Sequence, residues 1–220
     1  MCDCFKRTGK IIKEKRAISG FTQLLVKDNL NVFIIQDSLF EVTVEAGENI
    51  VPLITTEIDG NTLVCRNKNR CNWTRSYKQP LNIYVHMPVI DIIESDGTGD
   101  IKTLNTIQAS TCFVQTKNSG NIDLSINTHI LRSAMHGSSD LILHGKADSH
   151  GCDIGGTGFL NASDFNTGYT YLHTYTIGLC YIYARDLLIC KIDQKGDVFC
   201  YGNPKTVDAT LNGSGKLHIQ

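Results

Sequence analysis

The chain has 220 residues and a formal net charge of −1 at pH 7, and 41% of its residues are hydrophobic. This length is sufficient to bury a sizeable core, and the near-neutral charge provides no basic field of the kind that attracts a protein to phosphate backbones. The composition therefore argues against nucleic acid as a partner, and no apolar run reaches the roughly 18 residues that a membrane helix requires.

Residues 1–17 open with "MCDCFKRTGKIIKEKR", which is short, polar and cationic. A solvated charge run of this kind predicts a flexible tail that precedes the first strand. We therefore place the start of the folded domain at residue 18.

Residues 18–94 contain apolar runs of strand length separated by Asn, Asp, Gly or Lys-Asp turns. The runs are "FTQLLVK", "LNVFIIQ", "FEVTVEA", "VPLITTEI", "NTLVCRN" and "LNIYVHM". We interpret them as irregular first rungs of the solenoid described below, capping its N-terminal end. A separate small β domain is the alternative interpretation.

Residues 66–80, "RNKNRCNWTRSYKQP", are polar and basic and predict a surface excursion between two strands. Cys65 and Cys71 bracket its start. A disulfide between them and two free thiols are equally consistent with this spacing.

Residues 95–220 repeat with a period of about 20. Small residues that each precede alternating apolar positions recur at intervals of 21, 19, 19, 20, 18 and 19. These anchors are Gly99, Gly120, Ser139, Gly158, Gly178, Gly196 and Gly215. A near-constant period of this length is typical of a solenoid whose units stack.

Two columns of side chains point inward when the rungs are aligned on these anchors. The positions two and four residues after each anchor are apolar with one exception, Thr103, and the positions eight, six and four residues before each anchor are mostly apolar. Side chains alternate between the two faces of a strand, so the intervening positions face solvent. The sequence therefore predicts an all-β fold, a parallel β-solenoid that forms one domain over residues 18–220 with regular rungs from residue 95.

Five cysteines fall on the inward columns, where a thiol behaves as a small hydrophobic group. They are Cys112, Cys152, Cys180, Cys190 and Cys200. None shares a column with another on an adjacent rung, so we expect free core thiols. No Cys-x-x-Cys pair with zinc-ligand partners is present in the sequence.

The segments "ISGFTQLLVKDNLNVFI", "IDGNTLVCRN", "LNIYVHMPVIDIIESDGTGDI", "KGDVFCYGNP" and "NGSGKL", in this order, resemble the family called putative auto-transporter adhesin, head GIN domain. The resemblance covers residues 18–219. It implies an exported protein of a Gram-negative bacterium with a β-helix-like fold, in the outer membrane, at the cell surface or in the periplasm.

Many members of this family resemble lipoproteins, which gives the N-terminal tail a second interpretation. Cys2 becomes a lipidation candidate, the first residue of a mature lipoprotein to which Met1 has been added. The tail would then be a membrane tether that displays the solenoid, whereas the composition of residues 1–17 alone favours an ordinary disordered tail equally.

Acidic and amide side chains follow several anchors, at Asp100, Asn121, Asp140 and Asp197. A stacked calcium ladder is one interpretation. We favour a structural one, in which glycine supplies positive φ and the Asx side chain bonds the turn backbone, because calcium needs six to eight oxygen ligands and the column is interrupted at Phe159 and Leu179. The sequence predicts no metal site and no cofactor.

An enzyme that acts on polysaccharide is the alternative function, since parallel β-solenoids also support glycan cleavage. The outward positions five residues before successive anchors place Asp153, His173 and Lys191 on three rungs, beside Tyr171. No second carboxylate of this column faces Asp153, whereas glycoside hydrolysis uses two. We therefore assign no catalytic residue.

The last rungs carry aromatic side chains on outward positions. Tyr181, Tyr183, Phe199, Tyr201 and His218 form a candidate ligand or interface surface, and the chain ends at Gln220 within the last predicted strand, which leaves an open solenoid end beside them. Local packing of the sheet is the competing interpretation.

Together these features predict a non-enzymatic adhesin-like binding module of the cell envelope or surface. Its expected partner is a glycan or protein of unknown identity, with membrane contact only through an N-terminal lipid and self-association through the C-terminal end.

Overall fold

The structure, a computed structural model, describes residues 7–69 and 79–220. It confirms the predicted parallel β-solenoid, with about seven turns and rungs of about 19 residues. The helical structure in the described residues is one 3₁₀ turn, Val51–Leu53.

The strands of the described residues are numbered here in chain order. They are β1 (Ile11–Arg16), β2 (Gln23–Asp28), β3 (Asn31–Gln36), β4 (Glu41–Gly47), β5 (Ile54–Asp59), β6 (Thr62–Asn67), β7 (Asn82–Met87), β8 (Ile92–Gly97), β9 (Ile101–Thr103), β10 (Ile107–Thr116), β11 (Ile122–Met135), β12 (Leu141–Ile154), β13 (Leu160–Asn161), β14 (Phe165–Thr174), β15 (Cys180–Tyr183), β16 (Leu187–Ile192), β17 (Val198–Tyr201), β18 (Thr206–Leu211) and β19 (Leu217–Ile219).

The solenoid has two long faces that run the length of the rod. The first face stacks β9, the start of β11, the start of β12, β13, β15, β17 and β19 in parallel. The second face stacks β8, the end of β10, the ends of β11, β12 and β14, then β16 and β18. In the middle rungs a short third face joins them, where Ile107, Ile126, Gly145 and Phe165 are in register.

The predicted inward columns are confirmed over most of the rod. Leu124, Leu143, Cys180 and Val198 are buried, whereas Lys102 is exposed. The last rung differs, because no further strand covers it in the structure and its inward side chains meet solvent: Val207, Leu211 and Ile219 are 42%, 51% and 44% exposed.

At the other end of the rod, antiparallel strands follow the parallel stack. β2 pairs with both β6 and β8, and β3 pairs with both β7 and β9, so the first rung in the chain lies between two later ones. Beyond them β5 runs antiparallel to β6, and β4 runs antiparallel to β7. Residues 18–94 thus extend the same hydrogen-bonded sheet.

Residues 11–16 correct the expectation of a flexible tail. They form β1, which pairs antiparallel with β4. Lys13 and Lys15 reach Glu45 and Glu41 at 3.3 and 2.9 Å, and Arg16 donates to the carbonyl oxygens of Val51 and Ile54. The charges that suggested a solvated tail are therefore cross-strand partners. The boundary at residue 17 does not divide tail from strand, and the single-domain division remains a prediction.

The turn glycines are needed for a different reason from the one expected. None of Gly99, Gly120, Gly158, Gly178, Gly196 and Gly215 has a positive φ. Instead, a Cβ added to Gly178 would overlap the carbonyl oxygen of Gly158, and one added to Gly196 would overlap that of Gly178. Close approach of stacked backbone, rather than a left-handed conformation, excludes side chains from these turns.

The Asx residues of the turns link neighbouring rungs. Asp100 Oδ1 accepts the Asn121 N–H at 3.0 Å, Asn121 Oδ1 accepts the Asp140 N–H at 2.9 Å, and Asp140 Oδ1 accepts the Phe159 N–H at 2.9 Å. Each side chain thus bonds the backbone of the next turn rather than its own. Within the described part of the chain, no group of three or more His, Cys, Asp or Glu side chains is arranged to hold a metal ion.

The cysteines on the inward columns are buried free thiols. Cys65 is also buried. Cys71 lies outside the described residues, so whether these two cysteines pair stays a prediction. Burial raises the pKa of Cys180 and Cys200 to about 11 and that of Cys190 to about 12.

Native protein is expected to protect Cys180, Cys190 and Cys200 from iodoacetamide at pH 8, because the reactive thiolate is both scarce and enclosed. Mass spectrometry of peptides, labelled before and after denaturation in guanidinium, measures the effect. At least tenfold slower labelling in the native state is the expected result. Equal rates in the two states would contradict the core placement.

Candidate functional site

The predicted aromatic residues come together on the outward side of the first face. Register pairs Tyr181 with Phe199 and Phe199 with His218, because they occupy the same position on β15, β17 and β19. The Tyr181 and Phe199 rings stack at 5.3 Å between centroids, and Phe199 and His218 at 4.6 Å with 12° between their planes. These three rings form a continuous ladder, hereafter the aromatic ladder.

Tyr183 and Tyr201 form a second pair beside the aromatic ladder, two residues further along the same strands. The Tyr183 ring lies over Gly202, where φ is +92° and an added Cβ would come within 2.6 Å of the ring. All five predicted side chains are half-buried. Within the aromatic ladder each ring therefore packs on the ring of the next rung, and all five side chains remain partly exposed to solvent.

His218 closes the aromatic ladder through an acid on the preceding turn. His218 Nε2 lies 3.2 Å from Asp197 Oδ2, and the Lys216 N–H donates to Asp197 Oδ1 at 2.8 Å. The Lys216 N–H and then His218 hold the pKa of Asp197 below its usual value. His218 is thereby fixed against the Phe199 ring.

The charged column of the second face also assembles as predicted. His173 lies between two carboxylates, with Nδ1 3.5 Å from Asp153 Oδ2 and Nε2 2.8 Å from Asp193 Oδ2. Lys191 Nζ lies 2.9 Å from Asp193 Oδ2, and the Tyr175 hydroxyl donates to Asp153 Oδ1 at 2.8 Å. Asp193 and Tyr175, which the sequence pattern did not select, complete this network because each lies two residues after a member of the column, directly after the end of its strand.

Asp193 is poorly suited to act as the acid in glycoside hydrolysis. Hydrogen bonds from His173, Lys191 and Asn212 hold the pKa of Asp193 well below its ordinary range, so this carboxyl stays ionised and is a poor proton donor. Glycoside hydrolysis needs one carboxylic acid with a raised pKa. The carboxylates of this network can accept hydrogen bonds from a bound group, and His173 and Lys191 can donate hydrogen bonds to it.

A shallow groove of about 430 Å³ runs along the second face beside the network. Register places Arg132, Gly151, Tyr171 and Ile189 in one column across it, with Phe113 before Arg132. Asp153, His173 and Lys191 line one side of the same groove. Sequence reasoning missed Arg132 and Gly151. The signal that could have revealed the groove is that Gly151 is the one glycine in this column, whereas its neighbours Phe113, Arg132, Tyr171 and Ile189 all carry large side chains.

The predicted lipidation candidate, Cys2, lies outside the described residues. In residues 7–69 and 79–220, no helix is long and apolar enough to cross a membrane.

Comparisons with known proteins identify one family from the sequence and one fold from solved structures. The family model described as putative auto-transporter adhesin, head GIN domain, matches residues 20–204. A crystal structure of a putative adhesin from Bacteroides fragilis NCTC 9343 superposes with a TM-score of 0.89 at 19% identity, covering 98% of this chain and 100% of that one. No curated protein is significantly similar to the chain.

Two proteins of Parabacteroides distasonis ATCC 8503 share the fold as well. A putative adhesin gives a TM-score of 0.77 at 16% identity, and a putative lipid binding protein gives 0.75 at 18% identity; each likeness covers 98% of this chain and 100% of the other. At these identities the likeness shows the fold.

Proposed function

Since the chain belongs to the family described as putative auto-transporter adhesin, head GIN domain, we propose that it is a non-enzymatic binding module of the cell envelope or cell surface. The family description and the adhesin names of its structural neighbours support export and a binding role. The single observation that carries the proposal is the aromatic ladder.

The aromatic ladder supports binding because its rings, stacked on one another, present a row of partly apolar ring edges to solvent. Tyr181, Phe199 and His218 are held in register by parallel strands, so the surface is formed before any ligand arrives. Such preformed surfaces reduce the ordering that binding requires. Partly exposed aromatic side chains of this kind pack against the apolar parts of sugars and of protein side chains.

The exposed last rung adds a route to self-association next to the aromatic ladder. The inward side chains Val207, Leu211 and Ile219 face solvent on the last rung. Unpaired strand edges with apolar side chains are templates for further pairing, and a second copy of the chain satisfies them by edge-to-edge contact. The proposed homo-oligomer uses this end.

Attachment to the membrane through a lipid on Cys2 is a separate part of the proposal. The N-terminal sequence and the family resemblance support it. Mass spectrometry of the mature protein from its native host tests it, since a lipid adds a mass that a Cys2→Ser variant lacks.

A Tyr181→Ser, Tyr201→Ser double variant is expected to lose binding on glycan and protein arrays by at least tenfold while it keeps its fold. Ring stacking contributes roughly 0.5–1.5 kcal/mol per aromatic pair, so the variant is expected to unfold at a slightly lower temperature. Ser125→Ala, on the same face but remote from the aromatic rungs, is the matched control. If the double variant keeps its oligomeric state by light scattering and every array signal, the aromatic ladder is only sheet packing.

A further inference from the structure

We propose that the groove over Gly151 is a second binding site and that it accepts a carboxylate-bearing sugar ring of an acidic glycan. This site is on the second face, whereas the aromatic ladder is on the first, and the two sites share no residue.

Gly151 is the starting point, because the fold does not require glycine there. Of the 19 glycines in the chain, all of them described, the others either have a positive φ or would bring a Cβ within about 3 Å of another atom. At Gly151 φ is ordinary, and the nearest neighbour of an added Cβ is Arg132 Cγ at 4.0 Å. Glycine inside a strand is destabilising and often marks a place where a ligand approaches closely.

The missing side chain opens a slot between two flat groups. Arg132 and Tyr171 are the strand partners of Gly151 on either side, so their backbones lie two inter-strand spacings apart, about 9.6 Å. Tyr171 is 42% exposed, and Ile189, the next residue in the column, is 39% exposed. A slot of this width accepts one ring between the guanidinium and the phenol, and the groove volume of about 430 Å³ is in the range of small-molecule sites.

The polar groups of the groove indicate a sugar. Asp153, His173 and Lys191 lie two residues along the strands from the Arg132 column and offer both acceptors and donors for hydroxyl groups. Tyr171 offers an aromatic face for the apolar face of a pyranose ring. Aromatic face and fixed polar groups thus flank the same slot.

The charges of the groove indicate that the sugar is acidic. Lys191 pairs with Asp193, and Asp153 receives the Tyr175 hydroxyl and lies beside His173. Arg132 is exposed and, among the described residues, makes no hydrogen bond or ion pair. Among the described residues of the groove, the guanidinium is therefore a charged group that has no partner of its own, and its fork of donors matches a carboxylate in two parallel hydrogen bonds.

Isothermal titration with four probes tests the site: 3′-sialyllactose against lactose, and trigalacturonate against its methyl ester. The wild-type protein is expected to bind at least one acidic probe at least tenfold more tightly than its neutral counterpart. Arg132→Gln is expected to remove that preference. Gly151→Thr, which fills the slot with a strand-forming residue, is expected to weaken binding at least tenfold without lowering the unfolding temperature.

Controls separate this site from the aromatic ladder. Asn166→Thr introduces the same threonine side chain on the outward side of the third face, away from the groove. This variant and the Tyr181→Ser, Tyr201→Ser variant are both expected to bind the acidic probes as the wild type does. Loss of binding in the tyrosine variant would assign the sugar to the aromatic ladder instead.

The proposal would be overturned by no binding of either acidic probe, by equal binding of acid and neutral forms, or by wild-type affinity in Gly151→Thr. Should Gly151→Thr fail to fold, Gly151→Ala serves as the smaller filling variant, with at least a threefold loss expected. Binding of anionic phosphatidylglycerol vesicles without binding of the acidic sugars would likewise overturn it in favour of a lipid surface.

Discussion

Gly178→Ala is expected to lower the free energy of unfolding by roughly 3 kcal/mol, at the upper end of the usual overpacking penalty. The added methyl group would overlap the carbonyl oxygen of Gly158 on the preceding rung, and this atom belongs to backbone that cannot turn away. Guanidinium denaturation followed by circular dichroism measures the change. The turns above and below must separate to relieve the overlap, so the loss extends to the hydrogen bonds between the rungs.

Gly151→Ala is the matched control, because it makes the same chemical change on the same rod where space is open. A gain of about 0.5–1 kcal/mol is expected there, since alanine restricts the unfolded chain more than glycine does. Equal effects at Gly178 and Gly151 would contradict close backbone approach as the reason for the turn glycines.

Acidification from pH 7.5 to pH 5 is expected to remove about 2 kcal/mol of stability through His150 alone. This side chain is 1% exposed, shares a hydrogen bond of 2.9 Å between its Nε2 and Ser133 Oγ, and packs edge-on against Phe165. Burial lowers the pKa of His150 from 6.5 to about 3. The folded protein therefore keeps the ring neutral down to about pH 3, whereas the unfolded chain binds a proton near pH 6.5.

The direction of this change in stability with pH follows from the number of protons that each state binds. Between pH 6.5 and 3 the unfolded state binds more protons than the folded state, so stability falls as the pH falls; above pH 6.5 the two states bind equally and His150 has no effect. A Ser133→Ala, His150→Leu double variant removes both partners of the hydrogen bond and keeps the other six histidines. Its unfolding free energy is expected to lose about 2 kcal/mol less than that of the wild type between pH 7.5 and 5. An identical loss in both proteins would show that His150 does not titrate on unfolding.

The regular part of the fold could be predicted because its signal is local. In the regular rungs, apolar residues two and four positions after the anchor predict the buried face, and Leu124 and Leu143 are indeed buried. The nearly constant period then fixes the register of the strands. The N-terminal rungs could not be ordered in the same way. Hydrophobic alternation identifies β2 and β3 as strands, but it does not reveal that they lie between β6/β7 and β8/β9.

A candidate site could be predicted from the sequence when its residues occupy one column of equivalent positions on successive rungs. The aromatic ladder follows from a single outward position on three rungs, so sequence spacing found it. The groove needs three rungs to be seen at once, because the meaning of Gly151 depends on Arg132 and Tyr171 across the sheet. The role of the turn glycines was misjudged for the same reason, since the atom that excludes a side chain belongs to the rung before.

The position of the β2/β3 rung delays its pairing during synthesis, because both of its neighbours come later in the chain. This rung is first in the chain but has partners on both edges, and those partners are residues 62–67 and 82–103. During synthesis from the N-terminus, β2 can therefore pair with β6 only once residues 62–67 are made, and β3 can pair with β7 only once residues 82–87 are made. A truncation that removes residues 82–103 is expected to leave β3 without a partner on either edge and β2 with one open edge, and these exposed apolar strands would favour aggregation.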